Sequence, residues 1–248
     1  MDNATTFGLQ ADVYSSARPT YPEELLSWIA DQAPRRNIAW DVGTGSGQAA
    51  LMLADYFSKV HATDIDKEQI RRAPAHHNVD FAIAPAHISG LSKNSVDAIT
   101  VATALHWFDH ARFWQEVKRV ARPDAIFCAW TYHRAETDEQ IQNSLINPVA
   151  EVVEPYWSDG NRLSWRGYSK EELQMPFEVV AIPHFQCNLQ WTPLQIAGFI
   201  RSWSAYQKAC LNGHEEALAT IEAAGLAKLE DNLWDFVLPL NLLAARIP

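Results

Sequence analysis

The feature that most constrains this 248-residue chain is a cluster of glycines that follows a short apolar run. Three of its ten glycines, Gly43, Gly45 and Gly47, lie within five positions, in the pattern D-x-G-x-G-x-G that begins at Asp41. Glycine is needed where the backbone adopts a positive φ or must approach another group closely. The apolar run before the cluster predicts a strand and the helical spacing after it predicts a helix, so the cluster indicates a tight strand-to-helix turn.

A carboxylate after the second predicted strand narrows the choice of ligand. Asp64 follows residues 60–63, the second predicted strand, and an acid at that place can accept hydrogen bonds from both hydroxyls of a ribose. A dinucleotide fingerprint would need its third glycine where the chain has Gln48, which leaves an NAD-dependent reductase as the weaker alternative. Either Asp64 or Asp66 can also cap the next helix; we assign the cap to Asp66 and the ribose to Asp64.

The order of the predicted elements indicates an α/β fold. Apolar runs that alternate with helical spacing predict a parallel sheet covered by helices on both faces. After residue 132 the alternation stops, and we expect late strands and a helical cap. A first helix is expected from Thr20, because Thr20 and Glu23 have capping-box spacing and Pro22 suits the first helical position. The other expected strands are residues 38–42, 60–63, 79–84, 96–102, 125–132, 177–189 and 233–244, and the other helices are residues 48–57, 110–121, 141–154, 193–210 and 214–229, with a short helix near residue 66.

Charge and composition exclude several kinds of partner. The chain has 30 acidic and 20 basic residues, a net charge of −10, and no Lys/Arg run longer than a pair, so it lacks the basic patch that nucleic acid requires. No apolar run reaches the roughly 20 residues of a membrane span, and residues 1–10 do not have the features of a leader. We therefore expect a cytoplasmic protein with neither a nucleic acid nor a membrane as its partner.

Cysteine and histidine usage bears on redox state and metals. Cys128, Cys187 and Cys210 are odd in number and far apart in apolar stretches, which indicates reduced, buried thiols. His76 and His77 are adjacent and have no companions at the spacing of metal ligands. We therefore expect no metal site.

Several segments resemble the class I S-adenosylmethionine-dependent methyltransferases. This likeness is carried by residues 41–47, 64, 96–100, 104–109 and 119–123. A closer likeness, to the trans-aconitate methyltransferase-like or type 11 branch, is carried by residues 14–22, 202–205 and 238–240. The resemblance implies a Rossmann-like, seven-stranded, mostly parallel sheet with helices on both faces, an antiparallel last strand and a helical cap. It also implies S-adenosylmethionine as the cofactor, a small-molecule substrate, and a monomer or homodimer.

The same resemblance implies where the cofactor lies within a single domain. That domain would comprise a cofactor-binding half (residues 1–133), a late strand with the cap (residues 134–230) and a terminal strand (residues 231–248). Relatives often have an acid after the third strand, whereas residues 84–87 include none, so adenine recognition must rely on backbone groups or on His87. The implied cofactor residues are Asp41, Gly43, Gly45 and Gly47 at the methionine portion and ribose, Asp64 at the ribose hydroxyls, Ile65, Ala86 and His87 around the adenine, and Thr103, Ala104 and Arg18 towards the methionine end.

The expected chemistry is attack on a sulfonium cation, which a water-poor, aromatic pocket favours. His106 and His133 follow the fourth and fifth strands, and each is either a general base or a hydrogen-bonded residue that shapes its loop. A carboxylate substrate would need no base, only hydrogen-bond donors. Asp109 is interpreted as a helix cap, and most individual tryptophans as ordinary packing. The catalytic candidates are His106, His133 and Tyr14, and the substrate candidates are Trp107, Tyr132, Arg134 and Trp203.

The leading hypothesis is methyl transfer to a small molecule, at an oxygen of a carboxylic acid or of a similar compact polar metabolite. Two alternatives stay open at this point. The same fold and cofactor can support non-methyl chemistry, such as cyclisation or aminobutyl-type transfer. The chain can also be a module that binds the cofactor without catalysis.

Overall fold

The computed structural model describes residues 19–248, which divide into two compact units. The sheet unit comprises residues 20–133, 163–185 and 240–248. The second unit comprises residues 134–162 and 186–239, together with Pro19. Tyr14 and Arg18 lie outside the described residues, so their site roles stay predictions.

Nine strands form the β-structure of residues 19–248, where the sequence led us to expect seven. Two extra pairings come from the region after residue 133: a two-residue strand at 136–137, and a division of the strand expected over residues 177–189. Pro183 lies at that division, and proline has no N–H to donate to a sheet ladder. The strands are β1 (Ile38–Val42), β2 (Lys59–Asp64), β3 (Val79–Ile83), β4 (Val96–Ala102), β5 (Ala121–Tyr132), β6 (Glu136–Thr137), β7 (Glu178–Val179), β8 (Gln186–Trp191) and β9 (Trp234–Arg246).

The sheet unit has the predicted doubly wound topology. Strands β1 to β5 are parallel and lie in the order β3–β2–β1–β4–β5. Residues 240–246 of β9 pair antiparallel with β5, which confirms the antiparallel last strand. Because the strand order reverses between β1 and β4, the carboxyl ends of these strands border the crevice where open α/β sheets bind ligands.

Helices follow the strands, and their bounds differ from the prediction mainly after residue 133. A π-helical turn, Gln142–Ile146, interrupts the helix expected over residues 141–154, and Trp203, with an extended ψ of 133°, divides the helix expected over residues 193–210. The α-helices of residues 19–248 are α1 (Glu23–Gln32), α2 (Gln48–Leu53), α3 (Lys67–Arg72), α4 (His110–Val120), α5 (Glu139–Ile141), α6 (Asn147–Val153), α7 (Asp159–Arg166), α8 (Pro193–Arg201), α9 (Ser204–Ala209) and α10 (Glu215–Leu226). The remaining turns are 3-10 at Leu105–Trp107 and Glu154–Tyr156 and π-helical at Cys210–His214.

Two of the predicted helix caps are confirmed and one is wrong. Asp66 accepts from the Glu68 backbone N–H at 2.8 Å, which confirms it as the cap of α3. Asp109 accepts from the Arg112 N–H at 3.2 Å and caps α4, also as predicted. The capping box at Thr20 is wrong. Pro22 occupies the N-cap position with an extended ψ of 134° and no side-chain cap, so α1 begins one residue later.

The sheet unit is held by a core of aromatic rings against α4. Trp40, Phe113 and Phe127 are fully buried, and the Trp40 indole donates to Thr63 Oγ1 at 2.9 Å. Trp40 is therefore a core residue. Of the helices in residues 19–248, none combines the length and hydropathy of a membrane span.

The cysteines of the described chain are free thiols. Cys128 and Cys187 are buried as expected, whereas Cys210 is only half-buried, because it lies at the start of the π-helical turn Cys210–His214. Burial raises the pKa of the Cys187 thiol to about 12 and that of Cys128 still further. Neither thiol is therefore an activated nucleophile.

Candidate functional site

The turn after β1 has the conformation that the glycine cluster predicted. Gly43, Gly45 and Gly47 have φ values of +67°, +57° and +90°. A Cβ on Gly43 would lie 2.6 Å from the Cβ of Ala104, and one on Gly47 would lie 2.6 Å from the ring of Phe81. These two glycines are therefore required by contacts within the chain itself.

Gly45 differs from its two neighbours in the motif. A Cβ at this position would meet only the Gln69 side-chain oxygen, at 3.9 Å. The positive φ still favours glycine, but the space beside it is open. Gly45 is thus the glycine of the motif that leaves room for a ligand to approach the backbone.

Asp64, at the end of β2, faces this turn. Its Oδ2 accepts from the Gly45 N–H at 2.7 Å and its Oδ1 accepts from the Asp66 N–H at 2.8 Å. A carboxylate can accept about four hydrogen bonds, so beside these two and the interaction with the Ile65 backbone the group can still accept from ribose hydroxyls. Burial raises the pKa of this carboxyl above its usual range, although the backbone hydrogen bonds oppose that rise.

Asp41 lies under the turn and is completely buried. Its two oxygens accept from Thr44 Oγ1 at 2.6 Å and from Thr100 Oγ1 at 2.7 Å, which connects the turn to β4. Burial raises the pKa of this carboxyl to about 6, and the charge of Asp64 adds to that effect. Asp41 therefore supports the turn from below, because both of its oxygens are engaged within the chain.

Exposed isoleucines follow or end β2 and β3 at their carboxyl ends and in the loop after β3. The exposed fractions of Ile65, Ile83 and Ile88 are 63%, 60% and 55%. Ile83 pairs with Asp64 in the sheet register, and the Ala84 N–H donates to the Asp64 carbonyl at 2.9 Å. Sequence analysis identified Ile65 but missed Ile83 and Ile88, since only their exposure in the fold distinguishes them from core residues.

This sheet edge has two parts. The β2–β3 side comprises Gly45, Asp64, Ile65 and residues 83–89, which include the predicted Ala86 and His87, both half-buried. The β4–β5 side comprises residues 103–108, Tyr132 and Tyr168. The two sides differ in chemistry, since the first presents backbone, a carboxylate and aliphatic groups, and the second presents mainly aromatic rings.

Thr103 opens the β4–β5 side with a strained backbone. Its φ is +54°, a left-handed conformation that is unusual for a β-branched residue. Its N–H donates to the Trp130 carbonyl at 2.8 Å, which holds the chain in place as it leaves β4. Ala104, which follows, approaches Gly43 of the turn. The predicted pair Thr103 and Ala104 therefore lies at the crevice between β1 and β4.

His106 forms a pair with a tyrosine that lies far away in the sequence. His106 Nδ1 lies 2.8 Å from the Tyr168 hydroxyl, and the ring of Trp107 lies 4.7 Å from the imidazole. Tyr168 is buried, and its burial raises the pKa of the phenol above its usual range, against hydrogen bonds from the His106 backbone and Thr131. This role of Tyr168 has no local signal in the sequence, because Tyr168 lies 62 positions after His106.

The remaining candidates are placed as follows. Tyr132 is buried at the end of β5 and stacks on Tyr21 at 6.0 Å. His133 is exposed in the sheet unit, and Arg134 is exposed in the second unit. Trp203, also of the second unit, is half-buried, with its ring 5.7 Å from that of Trp157. Within residues 19–248, the structure brings together no cluster of three or more side chains that could hold a metal.

Comparisons with known proteins identify relatives over most of the chain. A family model described as a methyltransferase domain matches residues 40–129, which contain the end of β1, the turn, Asp64 and β2 to β4. A solved structure of a proposed type II methyltransferase from Anaeromyxobacter dehalogenans is 35% identical, covers 93% of this chain and 99% of its own, and has a TM-score of 0.83. A proposed methyltransferase of Dictyostelium discoideum is 29% identical over 220 residues, which are 87% of this chain and 83% of the relative.

A more distant structure shares the fold alone. Phosphoethanolamine N-methyltransferase 2 of Haemonchus contortus, in complex with S-adenosyl-L-methionine, is 14% identical. It has a TM-score of 0.55, and the match covers 100% of this chain and 60% of that one.

Proposed function

Because the chain belongs to the class I S-adenosylmethionine-dependent methyltransferases, we propose that the carboxyl edge of its sheet holds that cofactor in a defined orientation. Ribose and adenine occupy the β2–β3 side, and the sulfonium end faces the β4–β5 side. When bound, the cofactor supplies a methyl group activated by the positive sulfur. The open space at Gly45 and the remaining acceptor capacity of Asp64 fit a ribose, and the exposed isoleucines fit a flat, apolar base.

We propose that the acceptor is an oxygen of a carboxylic acid or of a similar compact, anionic metabolite. The observation that carries this proposal is the contact of Tyr168 with His106 Nδ1. Burial raises the pKa of Tyr168, so its phenol stays protonated, and the hydroxyl already interacts with the His106 backbone and Thr131. We propose that the phenol donates to Nδ1, in which case neutral His106 carries its proton on Nε2. In that form His106 donates a hydrogen bond to an anionic oxygen and does not remove a proton. A carboxylate acceptor fits this arrangement, because it is anionic without a base.

The surroundings support the same acceptor class. Residues 103–108 include no acidic side chain, and Asp109, which follows them, is engaged as the cap of α4. Trp107 and Phe108 add apolar surface that excludes water. An anion and a sulfonium lose charge as they react, so removal of water from both favours the transfer.

The test is a panel of carboxylic acids, phenols and amines, assayed for S-adenosylhomocysteine and for methanol released by alkali, which distinguishes esters from ethers and methylamines. We expect turnover with an acid and an alkali-labile product. Turnover confined to amines or phenols would overturn the acceptor class. Incubation with cofactor alone checks for non-methyl chemistry, which would release methylthioadenosine.

The pH dependence of kcat/KM distinguishes a His106 that donates a hydrogen bond from a His106 that acts as a general base. At saturating cofactor, kcat/KM for the acceptor should stay level from pH 8 to about pH 6, because His106 donates from Nε2 whether neutral or protonated. A general base with an ordinary histidine pKa would instead lose activity as the pH falls through about 6.5. A decline of that kind would assign His106 the role of base.

A further inference from the structure

A buried carboxylate on α4 lies outside every site predicted from the sequence. Glu116 is only 8% exposed, although it is charged and lies on a helix surface. Its Oε1 accepts from the Ser89 backbone N–H at 2.8 Å and from Ser89 Oγ at 2.5 Å. Its Oε2 accepts from Arg119 Nε at 2.7 Å. Buried acids are rare unless they are paired, so this one needs a physical reason.

The partner of Glu116 is a residue of the loop after β3. Ser89 is 3% exposed, and its polar groups are held from three directions. Besides the two bonds to Glu116, its carbonyl lies 2.8 Å from His61 Nε2 on β2, and its hydroxyl accepts from the Leu91 N–H at 3.0 Å. Arg119 donates to the Leu91 carbonyl at 2.8 Å and so extends the same network. Side chains of β2 and α4 thus fix one short loop.

The electrostatics make this attachment strong. Burial alone would raise the pKa of Glu116, but hydrogen bonds from Arg119 and Ser89 outweigh it and lower the pKa to about 2. Glu116 is therefore ionised throughout the neutral range. Hydrogen bonds to an ionised acceptor are shorter and stronger than those between neutral groups.

The fixed loop carries the residues expected at the adenine. Residues 85–88 directly precede Ser89, and Ile88, 55% exposed, is held in a turn by its N–H bond to the Pro85 carbonyl at 3.0 Å. No acid is present in residues 84–87, so the polar edge of the base has backbone groups and His87 to meet it. Backbone groups can select one base only if their positions are fixed, because a loop that moves presents no constant pattern of donors and acceptors.

We propose that Glu116 is a positioning residue for adenine recognition: it fixes the loop of residues 85–89, which presents its backbone and Ile88 to the base. This proposal rests on the placement of adenine on the β2–β3 side. It assigns selection of a 6-amino purine over a 6-oxo purine to backbone geometry that Glu116 maintains. In this proposal Glu116 does not touch the base and acts through the loop, by way of Ser89 and of Arg119, which holds Leu91.

The test compares Glu116→Gln with a matched control, Glu68→Gln. Glu68 also pairs with an arginine three residues later, Arg71, at 2.8 Å, but that pair is exposed and joins two residues of α3. Calorimetry gives Kd values for S-adenosylhomocysteine and for its inosine counterpart. We expect Glu116→Gln to raise the first Kd about tenfold, within the range of substitutions that act from outside a site, and to reduce the preference for adenine. Hydrogen exchange of amides 85–91 should accelerate, and kcat at saturating cofactor should stay within about twofold because the proposed orientation places the acceptor on the β4–β5 side.

Ser89→Ala provides a second variant if Glu116→Gln does not fold. It keeps the N–H bond to Glu116 and loses the hydroxyl, so a smaller change in the same direction is expected. A merely structural role predicts lower thermal stability with unchanged Kd values and unchanged base preference, and that result would overturn the proposal.

A failure of this inference is distinguishable from a failure of the proposed function. If wild type does not bind S-adenosylhomocysteine, the cofactor placement itself is wrong. If wild type binds it and Ile88→Ala weakens binding, but Glu116→Gln and Ser89→Ala both behave as wild type, only the positioning role is wrong.

Discussion

The β2–β3 side and the β4–β5 side of one sheet edge are built by different means. On the first, Asp64 and the loop of residues 83–89 are fixed by hydrogen bonds to backbone N–H groups and to Glu116. On the second, His106 and Tyr132 are placed by ring contacts and by the hydroxyl of Tyr168. The difference indicates that affinity for the cofactor and rate of transfer reside in separate residues. Variants on the first side should change Kd, and variants on the second should change kcat.

The largest effect is expected from Asp64→Ala. Loss of an ionised acceptor for two ribose hydroxyls should raise the Kd for S-adenosylhomocysteine about 100-fold, as measured by calorimetry. Asp66→Ala is the control, because it removes the cap of α3 and about 1 kcal/mol of stability but no ribose contact. An unchanged Kd in Asp64→Ala would assign the ribose to other groups.

Asp41 is a buried residue that supports both sides of the sheet edge, because it accepts hydrogen bonds from Thr44 of the turn and from Thr100 of β4. Its pKa rises from 3.8 to about 6 in the folded protein, so between these values the folded state holds more protons than the unfolded state. The free energy of unfolding should therefore fall as pH rises from about 4 to 6, by about 2–3 kcal/mol, and stay level above that range.

Asp41→Asn should remove this slope. Urea denaturation of wild type and variant at several pH values measures the difference, and shifts of other groups cancel because both proteins share them. If the two curves stay parallel from pH 4 to 6, Asp41 has an ordinary pKa.

Gly45 and Gly47 of the turn should respond differently to substitution by alanine. Gly45→Ala places a methyl group in open space, so it should raise the cofactor Kd about tenfold and cost about 1 kcal/mol of stability through its positive φ. Gly47→Ala adds a clash with Phe81 and should cost about 2 kcal/mol or more. Calorimetry and urea denaturation measure the two effects. Equal loss of affinity at equal stability in both variants would contradict the distinction between these glycines.

The smallest effect is expected on the other side, from Tyr168→Phe. Loss of the hydroxyl releases His106 Nδ1 and removes the hydrogen bonds with the His106 backbone and Thr131, and it should lower kcat about fivefold with cofactor Kd unchanged. The matched control is Tyr56→Phe, whose hydroxyl contacts exposed Glu23 at 3.2 Å. Steady-state kinetics on both variants measure the change in kcat, and calorimetry measures whether the cofactor Kd is unchanged. A change in Kd without a change in kcat would move Tyr168 to the cofactor side.

Local signals explain what the sequence could predict. The strand-to-helix turn and the caps at Asp66 and Asp109 each depend on residues a few positions apart. Parallel order among β1 to β5 follows from their alternation with helices.

The rest depends on contacts between distant segments. Glu116 meets Ser89 across 27 residues, and His106 meets Tyr168 across 62. Likewise, the sequence treats Gly45 and Gly47 alike, because the ring of Phe81 that separates their roles comes from β3. A sequence pattern that spans only a few neighbouring residues cannot contain such pairs.

The exposed isoleucines have a consequence for handling the protein. Ile65, Ile83 and Ile88 form aliphatic surface at one sheet edge, of the kind that promotes association between molecules when nothing covers it. A bound nucleoside would cover part of that surface. Retaining cofactor or its product through purification should therefore delay precipitation, so that the ligand also serves as a colloidal stabiliser during storage.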